Sequence, residues 1–146
     1  MTMNCYNLNV KIRSVEPRFT KMSRRRPRES TTTISGDESL ALHEKKCIPC
    51  EGGVPPLSDV EREPLLAQLD DGWQVVEGHH LERTWNFDDF QGALDFVNAA
   101  GAVCEEEFHH ADFDFGWGRA RVTIWTHKID GLTESDFVLA SKLDQL

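Results

Sequence analysis

The sequence predicts an α+β fold, a two-layer sandwich of order α-β-β-α-β-β-α with its helices packed on one face of a four-stranded antiparallel sheet. Three observations predict it. Segments with apolar residues at helical spacing exchange with short segments alternating by twos. A Gly-His-His turn joins the first two strand-like segments, too short for anything but a hairpin. Helix-capping signals stand at three separate points along the chain.

The elements follow in order. The folded part is expected to begin near Cys47, giving a domain over residues 47–146. Gly52-Gly53-Val54-Pro55-Pro56 reads as a loop, because paired Gly and paired Pro both refuse regular structure. Ser58 with Glu61 forms a capping box for a helix running to about Asp70. Val60, Leu65, Leu66 and Leu69 are its expected buried stripe, and Gly72 ends it. Trp73–Glu77 and Leu81–Phe87 are expected strands, joined through Gly78-His79-His80, whose histidines are read as solvent-exposed. A second helix starts at Asp88, capped with Gln91, with Phe90, Leu94, Val97 and Cys104 as its stripe and Ala93 and Ala100 beside it. It ends among Glu105, Glu106 and Glu107, carboxylates that oppose the helix dipole. A locally unfavourable choice of this kind points to a site.

His109 to Gly118 reads as a loop or short strand. Ala120 to His127 alternates as a strand, Val122 and Ile124 facing the core, Arg121, Thr123, Trp125 and His127 facing away. After Gly131, Thr133 caps a last helix that buries Phe137, Leu139, Ala140 and Leu143. Helices on one face leave the other sheet face to be covered, so a homodimer or homotetramer is expected.

Charge divides the chain. Residues 1–46 carry ten Lys/Arg against five Asp/Glu, and residues 47–146 carry six against twenty. The net charge of −9 argues against a nucleic-acid surface, since phosphates demand a basic footprint. No apolar run approaches the roughly 20 residues of a membrane helix. The basic segment 1–46 reads as a disordered leader, with a composition like that of an organellar transit peptide. The preferred reading is plainer: a tail without a targeting role, or an upstream start before Met22, which makes the expected location cytoplasmic. A plastid or mitochondrion follows if the leader is a targeting signal.

The four cysteines have irregular spacing and no secretory signal before them, so a disulfide framework is not expected. Cys47 and Cys50, with His43 before them, supply at most part of a zinc site, because one CxxC provides too few ligands. A plain pair of cysteines at the start of the fold is preferred.

The densest chemistry lies between Glu105 and Asp136, a stretch holding His109, His110, Trp117 and His127. Histidine is the side chain that gives and takes protons near neutrality. Two adjacent histidines after a helix, with a third at a strand end, are placed to converge on one small ligand.

The pattern Glu105-x-x-x-His109-His110-Ala111, then Trp117, Thr126-His127 and Gly131-Leu132-Thr133-Glu134-x-Asp136, resembles the signature of the pterin-4a-carbinolamine dehydratases. The resemblance spans residues 47–146 and takes in Gly72-Trp73 and Cys47-x-Pro49-Cys50-x-Gly52-Gly53. Ala111 stands where the family usually has Pro, and Phe113 where an aromatic, often Trp, is typical. The resemblance implies dehydration of a 4a-hydroxytetrahydropterin, made by an aromatic amino-acid hydroxylase, with no metal and no organic cofactor. By this analogy His110 and His127 handle the proton transfers and His109 orients the pterin. Glu105 is expected to hydrogen-bond the pterin or a histidine, or to be a solvated helix end. Trp73 is expected to line the ring pocket or to be a core residue. Phe113 and Trp117 are expected to bind substrate. Asp136 is expected to orient His127, or to serve only as a first-turn carboxylate. A zinc held by the three histidines is the less favoured chemistry. The alternative function is a non-catalytic adaptor, since relatives of this fold serve as dimerisation cofactors of a transcription factor or as Rubisco assembly factors.

Overall fold

The computed structural model describes residues 40–48 and 55–146. The leader up to residue 39, Cys50 and the Gly52-Gly53 part of the expected loop lie outside the described residues. A 3-10 turn at Leu42–Glu44 precedes α1 (Asp59–Leu66), β1 (Gln74–Val76), β2 (His80–Asn86), α2 (Phe90–Glu107), β3 (Asp112–Gly116), β4 (Arg119–Ile124) and α3 (Glu134–Leu143). The sheet is antiparallel throughout, in the order β1-β2-β4-β3. This is the expected α+β order, with the helices gathered on one side. Leu81, Ala120, Val122 and Ile124 project from the sheet into the core, where they meet Phe96, Ala100, Phe137, Leu139 and Leu143 from the helices.

Packing begins earlier than Cys47. Leu42 is 2% exposed and its turn lies against α3. Two buried groups fasten the chain that follows: the Glu107 carboxylate accepts from the Cys47 amide at 3.0 Å, and Ser135 Oγ accepts from the Ile48 amide at 3.0 Å.

The helix starts are local matters and follow the sequence closely. Glu61 reaches back to the Ser58 amide at 2.8 Å, and Asp136 to the Thr133 amide at 2.6 Å. Other details differ. The first helix stops at Leu66 rather than Asp70, where the chain tightens into i→i+3 bonds at Gln68 and Leu69. Val60 is 80% exposed, and the buried member of α1 is Arg62, which donates to Gly78 O and pairs with Asp59. The cap of α2 is Asp89, whose Oδ1 accepts from the Gly92 amide at 2.8 Å, not Asp88. The buried stripe of α2 is Ala93, Phe96, Ala100, Cys104 and Glu107: the expected Ala93, Ala100 and Cys104 face the core, Leu94 and Val97 flank them half-buried, and Phe90 is exposed.

The outer sheet face is polar. It carries Glu82, Thr84, Arg119, Arg121, Thr123, Asp112 and Asp114, with Arg121 bridging Asp114 at 2.9 Å and Glu82 at 3.8 Å. An antiparallel sheet with such a face can meet water directly. The polar chemistry of this face does not by itself call for cover by a second copy. Among the described residues no helix is long and apolar enough to cross a membrane.

Candidate active site

Strand β4 ends at Ile124, before the expected His127. Thr126 then pairs with Gly131, its amide donating to Gly131 O at 2.9 Å, and residues 127–130 form a tight turn. Gly131 is required there: a Cβ would stand 2.8 Å from Pro56 Cβ. On the other side, α2 is closed by Phe108 in the left-handed region (φ 51), which turns the chain so that His109 and His110 leave the helix end side by side. The two segments, Phe108–His110 and Trp125–Lys128, enclose an open cleft of about 270 Å³. His109, His110 and His127 all line it.

Each imidazole is held differently. His109 is nearly buried, with Nε2 2.7 Å from Asp136 Oδ1. Asp136 has no exposed surface, and its Oδ2 accepts from Thr126 Oγ1 at 2.9 Å and from the Thr133 amide. A buried carboxylate satisfied this fully, at the positive end of α3, fixes the ring it faces. His110 is exposed, with Nε2 2.9 Å from Glu105 Oε1 one turn back on α2. His127 is exposed, its ring 4.3 Å from the Trp125 ring.

Asp136 therefore holds His109 and not His127 as expected. Thr126 continues the inward alternation of Val122 and Ile124 and turns toward Asp136, while His127 lies out on the turn. Two of the other expected site residues lie far from the cleft. Trp73 is a core residue, edge-on to Trp85 at 5.4 Å, and its Nε1 donates to Asp144 at the opposite end of α3 from Asp136. Trp117 is 77% exposed on the β3–β4 turn, a strand's length from the histidines. Phe113 pairs with Val122 on the helix-facing side of the sheet and packs against the core, outside the cleft lining.

Sequence reasoning missed a second histidine pair. His79 and His80 are half-buried, not solvated: their Nδ1 atoms are 3.1 Å apart, and His79 Nε2 is 3.1 Å from Asp130 Oδ1. Both rings lie against Trp125, at 5.8 and 6.2 Å. The pair thus ties the β1–β2 turn to the turn that carries His127. The signal available was the repeated His-His doublet itself, together with Trp125 two residues before His127.

The acidic end of α2 is also explained. Glu105 serves His110, while Glu107 is buried and accepts from Lys46 at 2.9 Å and Lys142 at 3.1 Å. Burial alone would raise the Glu107 carboxyl, but the Cys47 amide, Lys46 and Lys142 outweigh it and bring it down to about 2. Cys47 lies beside it, its thiol pushed up to about 12 by burial and then by the Glu107 charge. Among the described residues no three His, Cys, Asp or Glu side chains are gathered as a metal site requires.

Fold and cleft define a small α+β protein with imidazoles clustered at one end of its sheet. Residues 55–146 match the family model described as pterin 4 alpha carbinolamine dehydratase, and the chain belongs to that family. A protein of Rubrobacter xylanophilus, provisionally named a pterin-4-alpha-carbinolamine dehydratase, is 60% identical over 105 residues, covering 72% of this chain and 97% of the relative. A Rickettsia bellii protein of the same provisional name is 53% identical over 108 residues, covering 74% and 96%. The crystal structure of a Brucella melitensis protein described as a transcriptional coactivator/pterin dehydratase superimposes with a TM-score of 0.58 at 34% identity, covering 62% of this chain and 96% of that one.

Proposed function

We propose that the protein dehydrates a 4a-hydroxytetrahydropterin to the quinonoid dihydropterin and water by histidine acid–base catalysis, recycling the pterin of an aromatic amino-acid hydroxylase. The observation that supports this reading is the sharing of one cleft by three imidazoles, two of them anchored at Nε2 by carboxylates.

The reaction needs two proton transfers. The C4a–O bond breaks with its electron pair on oxygen, which must be protonated to leave as water. The N5 lone pair forms the C4a–N5 double bond, and the N5 proton passes to a base. One imidazolium and one imidazole supply both, and the step needs neither metal nor organic cofactor. His127, set against the Trp125 indole and with no carboxylate partner among the described residues, is assigned the acid. His110 is assigned the base, because Glu105 stabilises the imidazolium that forms there. His109, its Nε2 committed to Asp136, keeps Nδ1 for orienting the pterin. An adaptor on this fold has no use for a buried carboxylate that holds an imidazole to a cleft, so the catalytic reading is preferred.

A homodimer or homotetramer is part of the proposal, but with a different surface. Strand β3 is a sheet edge, and Phe90, Phe115 and Trp117 are exposed beside it, the two Phe rings 5.9 Å apart.

The deciding experiment follows the ultraviolet absorbance of a synthetic 4a-hydroxytetrahydropterin on mixing with the protein. Acceleration over the buffer rate, abolished in His110→Ala/His127→Ala, is expected. Full acceleration by that double variant would remove the assignment.

A further inference from the structure

We propose that the cleft takes a reduced pterin whose side chain ends in an anion, a phosphate or a carboxylate, with the Lys128 ammonium as its receptor. The inference rests on the pterin reading and names the substrate class of that same site.

It starts from a count of cations. Eight lysines and arginines lie among the described residues, and seven have a carboxylate within 4.0 Å. Lys128 is the exception, exposed and lining the cleft. In a segment 47–146 with twenty acids to six cations, a lysine without a carboxylate is the unexpected case. The acid closest in sequence, Asp130, is taken by His79. Glu105 is taken by His110 and Asp136 by His109. These carboxylates are thus engaged by imidazoles, and no carboxylate among the described residues pairs with the ammonium on the cleft edge.

The surroundings reinforce this. Of the six histidines, His109, His110 and His127 line the cleft, and His79 and His80 lie behind Trp125. Among the described residues this end of the molecule therefore gathers protonatable side chains around an ammonium, a local attraction for an anion on an otherwise acid-rich domain. The pterin ring itself needs flat walls and proton donors, not a lysine. A cleft of about 270 Å³ is small for a ligand site and suits the bicyclic ring, so a side chain runs out over the edge where Lys128 stands. A compact ammonium on a flexible stem suits a phosphate or carboxylate at the end of such a tail.

The test compares three non-reacting 7,8-dihydropterins by calorimetry at low salt: one with a neutral dihydroxypropyl side chain, one ending in a phosphate monoester, one ending in glutamate. The anionic ligands are expected to bind roughly threefold to tenfold more tightly than the neutral one. That advantage should shrink with added salt, vanish in Lys128→Gln and invert in Lys128→Glu. Preference for one anionic tail alone upholds the proposal and identifies the tail. Equal affinity for all three, or an advantage that persists in Lys128→Gln, overturns it. Turnover of the neutral carbinolamine separates the two readings: turnover without any anion preference overturns only the receptor role of Lys128. A protein that neither binds a dihydropterin nor dehydrates the carbinolamine overturns both.

Discussion

His109 Nε2 lies 2.7 Å from Oδ1 of Asp136, a carboxylate with no exposed surface, so the ring that faces the cleft is set from inside the core. The other oxygen of Asp136 caps α3 and accepts from Thr126. Asp136→Asn keeps the volume but puts an amide where an acceptor is required, either toward His109 or toward Thr133. We expect kcat of the proposed dehydration to fall about 10- to 100-fold. Stability should drop by about 1–3 kcal/mol, because a buried donor loses its acceptor. Stopped-flow turnover and urea unfolding of the same variant measure the two effects, and native kcat in Asp136→Asn would show that His109 needs no anchor.

Glu107 makes stability depend on acid. Its carboxyl is held down to about 2 in the fold, while a carboxyl in the unfolded chain titrates near 4.5. The unfolded chain therefore takes up the proton first as pH falls. The stabilisation is complete above about pH 4.5 and is lost progressively as pH drops toward 2. Its size is of the order of 3 kcal/mol. Urea midpoints at several pH values should decline through this window, and Glu107→Gln should be weaker at pH 7 with a flatter decline. A variant as acid-sensitive as the native protein would place the effect elsewhere.

The sequence displays what is decided locally and conceals what depends on distant approach. The Thr133–Asp136 and Ser58–Glu61 caps lie within one helical turn, and both were legible. The alternation of Val122 and Ile124 likewise reports a face that the strand fixes by itself. The α2 stripe was legible in Ala93, Ala100 and Cys104, but Phe96 is buried in place of Phe90 because contacts with Trp85 and Phe87, at 4.7 and 5.5 Å, decide which flank of the helix is covered. The three cleft histidines were legible as a spacing pattern. Their partners were only partly so: Glu105 is one turn away from His110, but Asp136 is 27 residues from His109 and meets it only where the start of α3 packs beside the end of α2. His79 meets Asp130 across 51 residues, a contact that no local pattern announces.

Cys47 should be a poor nucleophile. Burial and the neighbouring Glu107 charge push its thiol up to about 12, and burial raises Cys104 as well, so thiolate is scarce at ordinary pH. At pH 8 iodoacetamide should label both far more slowly in the native protein than after unfolding in urea. Peptide mass spectrometry assigns the sites, and rapid native labelling of Cys47 would contradict the packing of residues 45–48. Glu107→Gln should speed its labelling, because both the charge and the docking of the segment are weakened.

The His79–Asp130 link bears on His127 without touching substrate. Asp130 sits at φ 51 in the turn that carries His127, and His79 reaches its carboxylate at 3.1 Å while lying against Trp125, the ring on which His127 rests. His79 is thus a positioning residue. His79→Phe keeps an aromatic ring at Trp125 but removes the link. We expect kcat to fall roughly threefold to tenfold with KM changing less, because the ring-binding groups stay in place while the proton donor loosens. Amide exchange at residues 127–131 should quicken at the same time. His79→Gln, whose amide can donate to Asp130, should recover part of the loss, which a purely structural role at Trp125 does not explain. Native kcat in His79→Phe, with exchange of the turn unchanged, would mean that Gly131 and Pro56 alone hold His127 in place.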